Sequence, residues 1–354
     1  MTDELAQFTP AVGLTNNHLM TLAPLWMPRR FPLTDRGCER LFIEVEPGNQ
    51  VLVLFHQGRG ARASSLVLVL HGLESSADAP YVKGVCEKAI YEGFSVARMN
   101  MRNCGGTSHL STTLYNAGMS SDVLNVASHL TERFNFENVF LCGFSLGGNL
   151  VLKAAGEYGA GGPGNIKGNE PVKVPLAGVC SICPPIDLES CVRQMEKGVN
   201  RIYEKNFVLS LKLRVYEKAR HFPGRYDLVK LRQIRTVRSF DNVFTAPDAG
   251  YASAEDYYRG ASAQHVLSSI DCPTLIIAAK DDPLVPFSSF ETLDNLVQDL
   301  RRTLLAPTNG GHVSFIHKKS IRSEAAAGAP CDPFWAEWQA VGFFKSLTAC
   351  GTRS

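Results

Sequence analysis

Runs of apolar residues, broken by polar, glycine-rich and proline-rich stretches, divide the chain into short strands and amphipathic helices. Leu41 to Val45 and Val51 to Phe55 flank Pro47-Gly48-Asn49, a turn signal that predicts an antiparallel hairpin. Leu66 to Leu70 is an unbroken apolar run, the pattern of a strand buried on both faces. From there the two periods alternate. Helical spacing covers Tyr81 to Glu92 and ends at Gly93, and Phe94 to Met99 reads as a strand. Ser121 to Phe134 is helical, with Leu124, Ala127 and Leu130 on one face. Val139 to Cys142 reads as a strand and Leu146 to Glu157 as a helix. Leu176 to Ile182, Thr274 to Ala279 and Thr303 to Ala306 are further strands. A helix over Pro333 to Leu347, with Trp335, Trp338, Phe343 and Phe344 as packing residues, completes the order. Strands joined by helices need right-handed crossovers. The pattern therefore predicts an α/β fold with a mostly parallel, twisted sheet flanked by helices.

Two segments break this rhythm. Tyr158 to Lys173 is rich in Gly, Pro and Asn and reads as a surface loop. Asp187 to Arg238 holds several helical patterns between two core strands and reads as a helical cap insertion, 187–238. Residues 1–36 carry apolar clusters without a regular period and read as a segment wrapping one domain that spans 1–354.

Composition changes this picture little. The 354 residues are 45% hydrophobic and 20% charged, with a net charge of +2, which is ordinary for a globular enzyme and gives no case for nucleic-acid binding. The charge is uneven, however. Lys and Arg outnumber acids in the 187–238 insertion. The excess is either a solvated helix face or a surface for anionic substrates and peripheral lipid contact. The N-terminus has no basic start followed by an apolar run, and no apolar run of about 18 residues occurs. The expectation is a cytoplasmic protein without a transmembrane segment. Ten cysteines are scattered along the chain, and Cys142 and Cys180 sit in apolar strands as buried, reduced thiols do. Cys180 and Cys183 form a C-x-x-C, but no second pair or nearby histidine completes a zinc site. Neither a metal nor an organic cofactor is expected.

The candidate chemistry starts at Gly143-Phe144-Ser145-Leu146-Gly147. A G-x-S-x-G pentapeptide alone is a weak signal. Here an apolar strand leads in and a helix leads out, so Ser145 sits on a sharp strand-to-helix turn that projects its hydroxyl above the sheet. Gly143 and Gly147 relieve the crowding. A serine hydroxyl needs a base and a group to orient that base, and in this architecture the order is Ser, acid, His. Asp281-Asp282 follows the Thr274 strand, and the spacing Asp-x-x-Val-Pro favours Asp282, leaving Asp281 as a cap or at the surface. Gly310-Gly311-His312 follows the last strand and gives His312 as the base. His317 is its competitor, but it precedes Lys318-Lys319 and looks exposed. The remaining histidines read as structural or surface groups. An oxyanion hole needs two backbone donors. Leu146 N–H is one, and Leu73 N–H, in the loop opened by His71 and Gly72, is the other.

Further motifs extend the picture. Asn16 to Leu22 contains His-x-x-Thr, and Asn100 to Gly106 reads N-x-R-x-C-G-G. Tyr226-Asp227, Arg238 to Asp241, Tyr257-Tyr258 and Ser262 follow. On these motifs the chain resembles the YheT-like α/β-hydrolases (AB hydrolase 4 type), from about residue 10 to residue 347. The resemblance implies an α/β-hydrolase fold and hydrolysis of carboxylic esters, on short- to medium-chain acyl or lipid esters. Eukaryotic members of the branch carry an N-terminal membrane anchor, and some act on phospholipids. This chain lacks that pattern, so a soluble, bacterial-type esterase is expected. Two rival readings use the same fold: an acyltransferase with the same three residues, and a catalytically inactive binding protein.

Overall fold

The apolar run at Leu66 becomes the middle of the sheet. The computed structural model of the protein describes residues 7–161, 173–291, 301–322 and 329–350. Strands β1 (Glu39–Glu46), β2 (Asn49–His56), β3 (Ser65–Leu70), β4 (Ser95–Met99), β5 (Asn138–Phe144), β6 (Leu176–Ile182), β7 (Thr274–Ile277) and β8 (Arg302–Leu305) form one sheet. Its order is β1-β2-β4-β3-β5-β6-β7-β8. β1 and β2 are the expected hairpin, and β2 also runs antiparallel to β4. All later pairs are parallel.

Burial explains this order. Every residue of β3 is buried, because β4 and β5 flank it and helices cover both faces. In β1, at the sheet edge, Leu41, Ile43 and Val45 point inward and alternate with exposed Arg40, Phe42 and Glu44. Helices α2 (Pro80–Tyr91) and α10 (Trp335–Cys350) cover one face through Val82, Val85, Trp335 and Phe344. α3 (Ser120–Phe134) and α4 (Leu146–Gly159) cover the other through Leu124, Leu130, Leu150 and Val151. A buried ionic cluster fastens the first face. Lys88 on α2 and Arg29 both bond Glu337 on α10 at 2.7 Å.

Between β6 and β7 the chain is helical: α5 (Leu188–Met195), α6 (Arg201–His221), α7 (Leu228–Gln233), α8 (Val237–Phe240) and α9 (Ala254–Ala261). The helical stretch does not stop at Arg238. A π turn, Asp241–Thr245, carries α8 onward. Near the N-terminus, α1 (Asn17–Leu22) is capped by Asn16, whose side chain accepts the His18 and Leu19 amides.

Other differences from the sequence reading are local. A hairpin of β9 (Ile316–Arg322) and β10 (Cys331–Phe334) follows β8, so Thr303 to Ala306 is not the last strand. The hairpin is too polar to show an apolar alternation, and Pro333 lies in β10 with the helix starting at Trp335. Most of the expected loop Tyr158 to Lys173 lies outside the described residues. Among the described residues no cysteine is paired. Cys180 stands beside Cys142 in the next strand, and Cys183 lies past the strand end.

Candidate active site

Ser145 lies where β5 turns into α4. Its φ of +51° and ψ of −120° are a conformation that side-chain-bearing residues avoid at a cost of about 1–3 kcal/mol. The surroundings hold it there. Ser145 N–H donates to Ile182 O at 2.8 Å, and Asn149 N–H donates to Ser145 O at 3.1 Å. The flanking glycines are obligatory. A Cβ at Gly143 would lie 2.1 Å from Gly147 O, and one at Gly147 would lie 2.4 Å from His71 O.

The structure brings Ser145, His312 and Asp282 into one hydrogen-bonded chain. His312 Nε2 lies 2.9 Å from Ser145 Oγ, and Nδ1 lies 2.8 Å from Asp282 Oδ2. An ionised carboxylate only accepts, so Nδ1 carries the hydrogen and Nε2 is free to take the serine proton. The other oxygen, Asp282 Oδ1, accepts the amides of Leu284 (2.8 Å) and Val285 (3.0 Å), which fixes the carboxylate plane.

The loop after β3 lies against the serine. A Cβ at Gly72 would come within 3.2 Å of Ser145 Cβ. His71 Nδ1 donates to Gly72 O (2.7 Å), and Nε2 accepts Met101 N–H (3.1 Å). Burial pushes the His71 pKa down to about 4, so the ring stays neutral and keeps its acceptor. Tyr81 OH accepts Gly72 N–H at 3.0 Å. Beyond Leu73, Glu74 has a φ of +53°. Its amide donates to Tyr115 OH (2.8 Å), which donates back to Glu74 Oε1 (2.7 Å). Arg214 of α6 clamps the same carboxylate with Nε (2.7 Å) and Nη2 (3.1 Å). Leu73 is thus held from both sides, and among the described residues no acceptor takes its amide. Leu146 opens α4, where amides have no intrahelical partner.

Residues that sequence reasoning missed, or left without a role, support these groups. Thr21 Oγ1 accepts His312 N–H (2.9 Å) and donates to Asn17 O (2.7 Å). Asp281 is half-buried. It accepts Gly311 N–H at 3.0 Å and so ties down the histidine loop. The Asn100 to Gly106 motif backs the β3 loop: Met101 bonds His71, Asn100 Oδ1 accepts Ala77 N–H, and Arg102 grips Asp122. Thr21 and Asn103 lay within motifs visible in the sequence, but Glu74, Tyr115 and Arg214 had no local signal. His317 is also corrected. It is buried, not exposed, and its ring packs near Phe8 while Nδ1 accepts Lys319 N–H.

Among the described residues, Cys183, Asp282 and His312 could hold a metal ion. They do not suit one. Asp282 and His312 are bound to each other, and burial and the Asp282 charge push the Cys183 thiol well up, which disfavours the thiolate a metal needs.

Beside Ser145 opens a narrow pocket with a cavity volume of about 100 Å³. Its wall is mainly apolar, with Leu188, Val192, Met195, Phe207, Leu211 and Val237 facing inward. One carboxyl group, that of Asp241, stands in the lining. Asp241 accepts Thr245 Oγ1 (2.7 Å) and Tyr258 OH (2.8 Å), and burial pushes its pKa up to about 6. Three cations of the insertion are spent inside the protein, while Lys197, Arg201, Lys205, Arg220 and Lys230 stay exposed. Arg214 pairs with Glu74, Arg238 with Glu189 and Glu196, and Lys218 is buried against Asn103 Oδ1 and Ser111 O.

Comparison with known proteins shows the family. A family profile described as alpha/beta hydrolase fold matches residues 65–319. The protein YheT of Escherichia coli is 32% identical over 88% of this chain and 87% of its own length. A monoacylglycerol lipase of Saccharomyces cerevisiae is 27% identical over 73% of this chain and 57% of its own. The crystal structure of 2,6-dihydroxy-pseudo-oxynicotine hydrolase superposes with a TM-score of 0.56 at 17% identity, covering 92% of this chain and 72% of that one. The chain belongs to the α/β-hydrolase family and, within it, to the YheT-like branch.

Proposed function

We propose that this protein is a serine hydrolase that cleaves carboxylic esters through an acyl-enzyme. The hydrogen-bonded chain from Ser145 through His312 to Asp282 carries this reading. His312 Nε2 takes the Ser145 proton as Oγ attacks the ester carbonyl, and Asp282 steadies the imidazolium. The Leu73 and Leu146 amides receive the oxyanion. His312 then protonates the leaving alcohol. Water, deprotonated by the same ring, releases the acid and restores Ser145.

The apolar pocket favours short- to medium-chain acyl or lipid esters, and the lipase relative points to the same class. In this reading the 187–238 helices are the cap that shapes the acyl site. Ser145→Ala tests it. Turnover of p-nitrophenyl butyrate and labelling by a fluorophosphonate probe are both expected to vanish, and labelling that persists would overturn the assignment.

A further inference from the structure

Helix α6 is apolar on two opposite faces. Val208, Leu211 and Val215 are buried and Leu211 lines the pocket, while Ile202, Leu209 and Leu213 are 68, 57 and 59% exposed. At about 3.6 residues per turn, positions 202, 209 and 213 fall on one line, opposite the buried stripe. A surface helix ordinarily carries one apolar stripe, turned to the core. A second, outward stripe needs a second partner.

The neighbouring surface extends the stripe. Val199, just before α6, is exposed, as is Val229 on α7, and Lys212 ties these helices by donating to Arg232 O. At the N-terminal end of α6 His18 stacks on Tyr203, bringing the N-terminal segment alongside α6, and that segment carries Trp26 at 72% exposure. Cations rim the stripe. Lys197, Lys205, Arg220 and Lys230 are exposed, against the exposed acids Glu217 and Asp227. Unlike Arg214 and Arg238, Lys205 and Arg220 bond no acid among the described residues.

We infer that the outer face of α6 is a docking surface for an anionic lipid interface, so that the pocket on its inner side takes ester from that interface. An apolar stripe among exposed cations is what a helix lying in the headgroup region presents. A second copy of the chain fits less well, because two-fold pairing of this face would set its cations against each other. No described helix is long and apolar enough to cross a membrane.

The inference rests on the ester-hydrolase reading for its purpose, but its test reads binding alone. The full chain carrying Ser145→Ala is sedimented with phosphatidylcholine vesicles, and with vesicles of equal parts phosphatidylcholine and phosphatidylglycerol. Binding to the anionic vesicles is expected, weakening as salt rises. Leu209→Ser with Leu213→Ser should lower it at least about tenfold, and Lys205→Gln or Arg220→Gln about fivefold each. Absence of binding by the parent chain overturns the inference, as does binding indifferent to the leucine substitutions. A dimer dispersed by those substitutions also overturns it and assigns the face to a second copy. Turnover of a water-soluble ester by the Ser145 protein is measured separately. Its absence would sink the hydrolase reading and leave the vesicle result standing.

Discussion

The hydroxyl of Thr21 holds the backbone amide of His312, 291 residues further along the chain, at 2.9 Å. The proposed base is therefore positioned by a group that never touches substrate. Thr21→Val keeps the shape and removes the acceptor. We expect kcat to fall about 10- to 100-fold, with KM nearly unchanged, because a misplaced imidazole harms the reaction more than binding. Thr21→Ser should restore most of the rate, which separates bonding from packing.

Arg214 and Glu74 couple the pocket helix to the loop that carries Leu73. Arg214→Met leaves a buried carboxylate unpaired and should destabilise the protein by about 3 kcal/mol. Glu74→Gln should weaken oxyanion binding, lowering kcat more than it raises KM. In the double variant the losses should be less than additive by about 1 kcal/mol or more, read from urea unfolding and from kcat/KM.

His56 and His71 should each make stability rise with pH between about 4 and 6.5. Burial, with Arg98 nearby in the case of His56, lowers the pKa of His56 and His71 to about 4 from 6.5. In that window the unfolded chain holds both protons and the folded chain does not, so each histidine makes stability increase with pH. Asp241 acts oppositely. Its pKa is raised to about 6 from 3.8, so the stability it contributes is full below 3.8 and is lost as pH rises through 6. Asp122, Glu204 and Asp281, whose pKa values burial also raises, act in the same direction as Asp241. His56→Gln should lower the slope and Asp241→Asn should raise it, each by about 1.4 kcal/mol per pH unit at most. Urea midpoints measured across the window check both signs.

Leu211 narrows the pocket from the α6 side. Leu211→Trp should leave turnover of an acetyl ester intact while reducing kcat/KM for longer acyl esters, by about fourfold per excluded methylene. A chain-length series of p-nitrophenyl esters reads this directly. The same series run with competing alcohols distinguishes hydrolysis from acyl transfer.

Much of this was legible in the sequence, for physical reasons. The sheet could be read because its central strands are buried on both faces and appear as unbroken apolar runs, as at Leu66 to Leu70. Ser145, Asp282 and His312 could be read because each follows a strand and is marked by glycine, proline or aspartate. The β9–β10 hairpin escaped because polar strands at a surface leave no alternation. The Glu74–Arg214 clamp escaped for a different reason: its partners lie 140 residues apart and meet only when α6 folds over the sheet. Charge counting over 187–238 left two readings open, since it cannot distinguish Lys218, buried against a carbonyl, from Lys205 in solvent.

The clasp between residues 17–21 and the loop at 310–312 has a consequence for synthesis. The nucleophile elbow is complete once β6 has been made, long before His312 leaves the ribosome. A nascent chain can therefore carry Ser145 on its turn, and even the loop around Leu73, without His312 beside it. The earliest-made described helix must wait for one of the last-made loops. Under the proposed reaction, activity then arrives in a single late event, once the 310–312 loop has met residues 17–21.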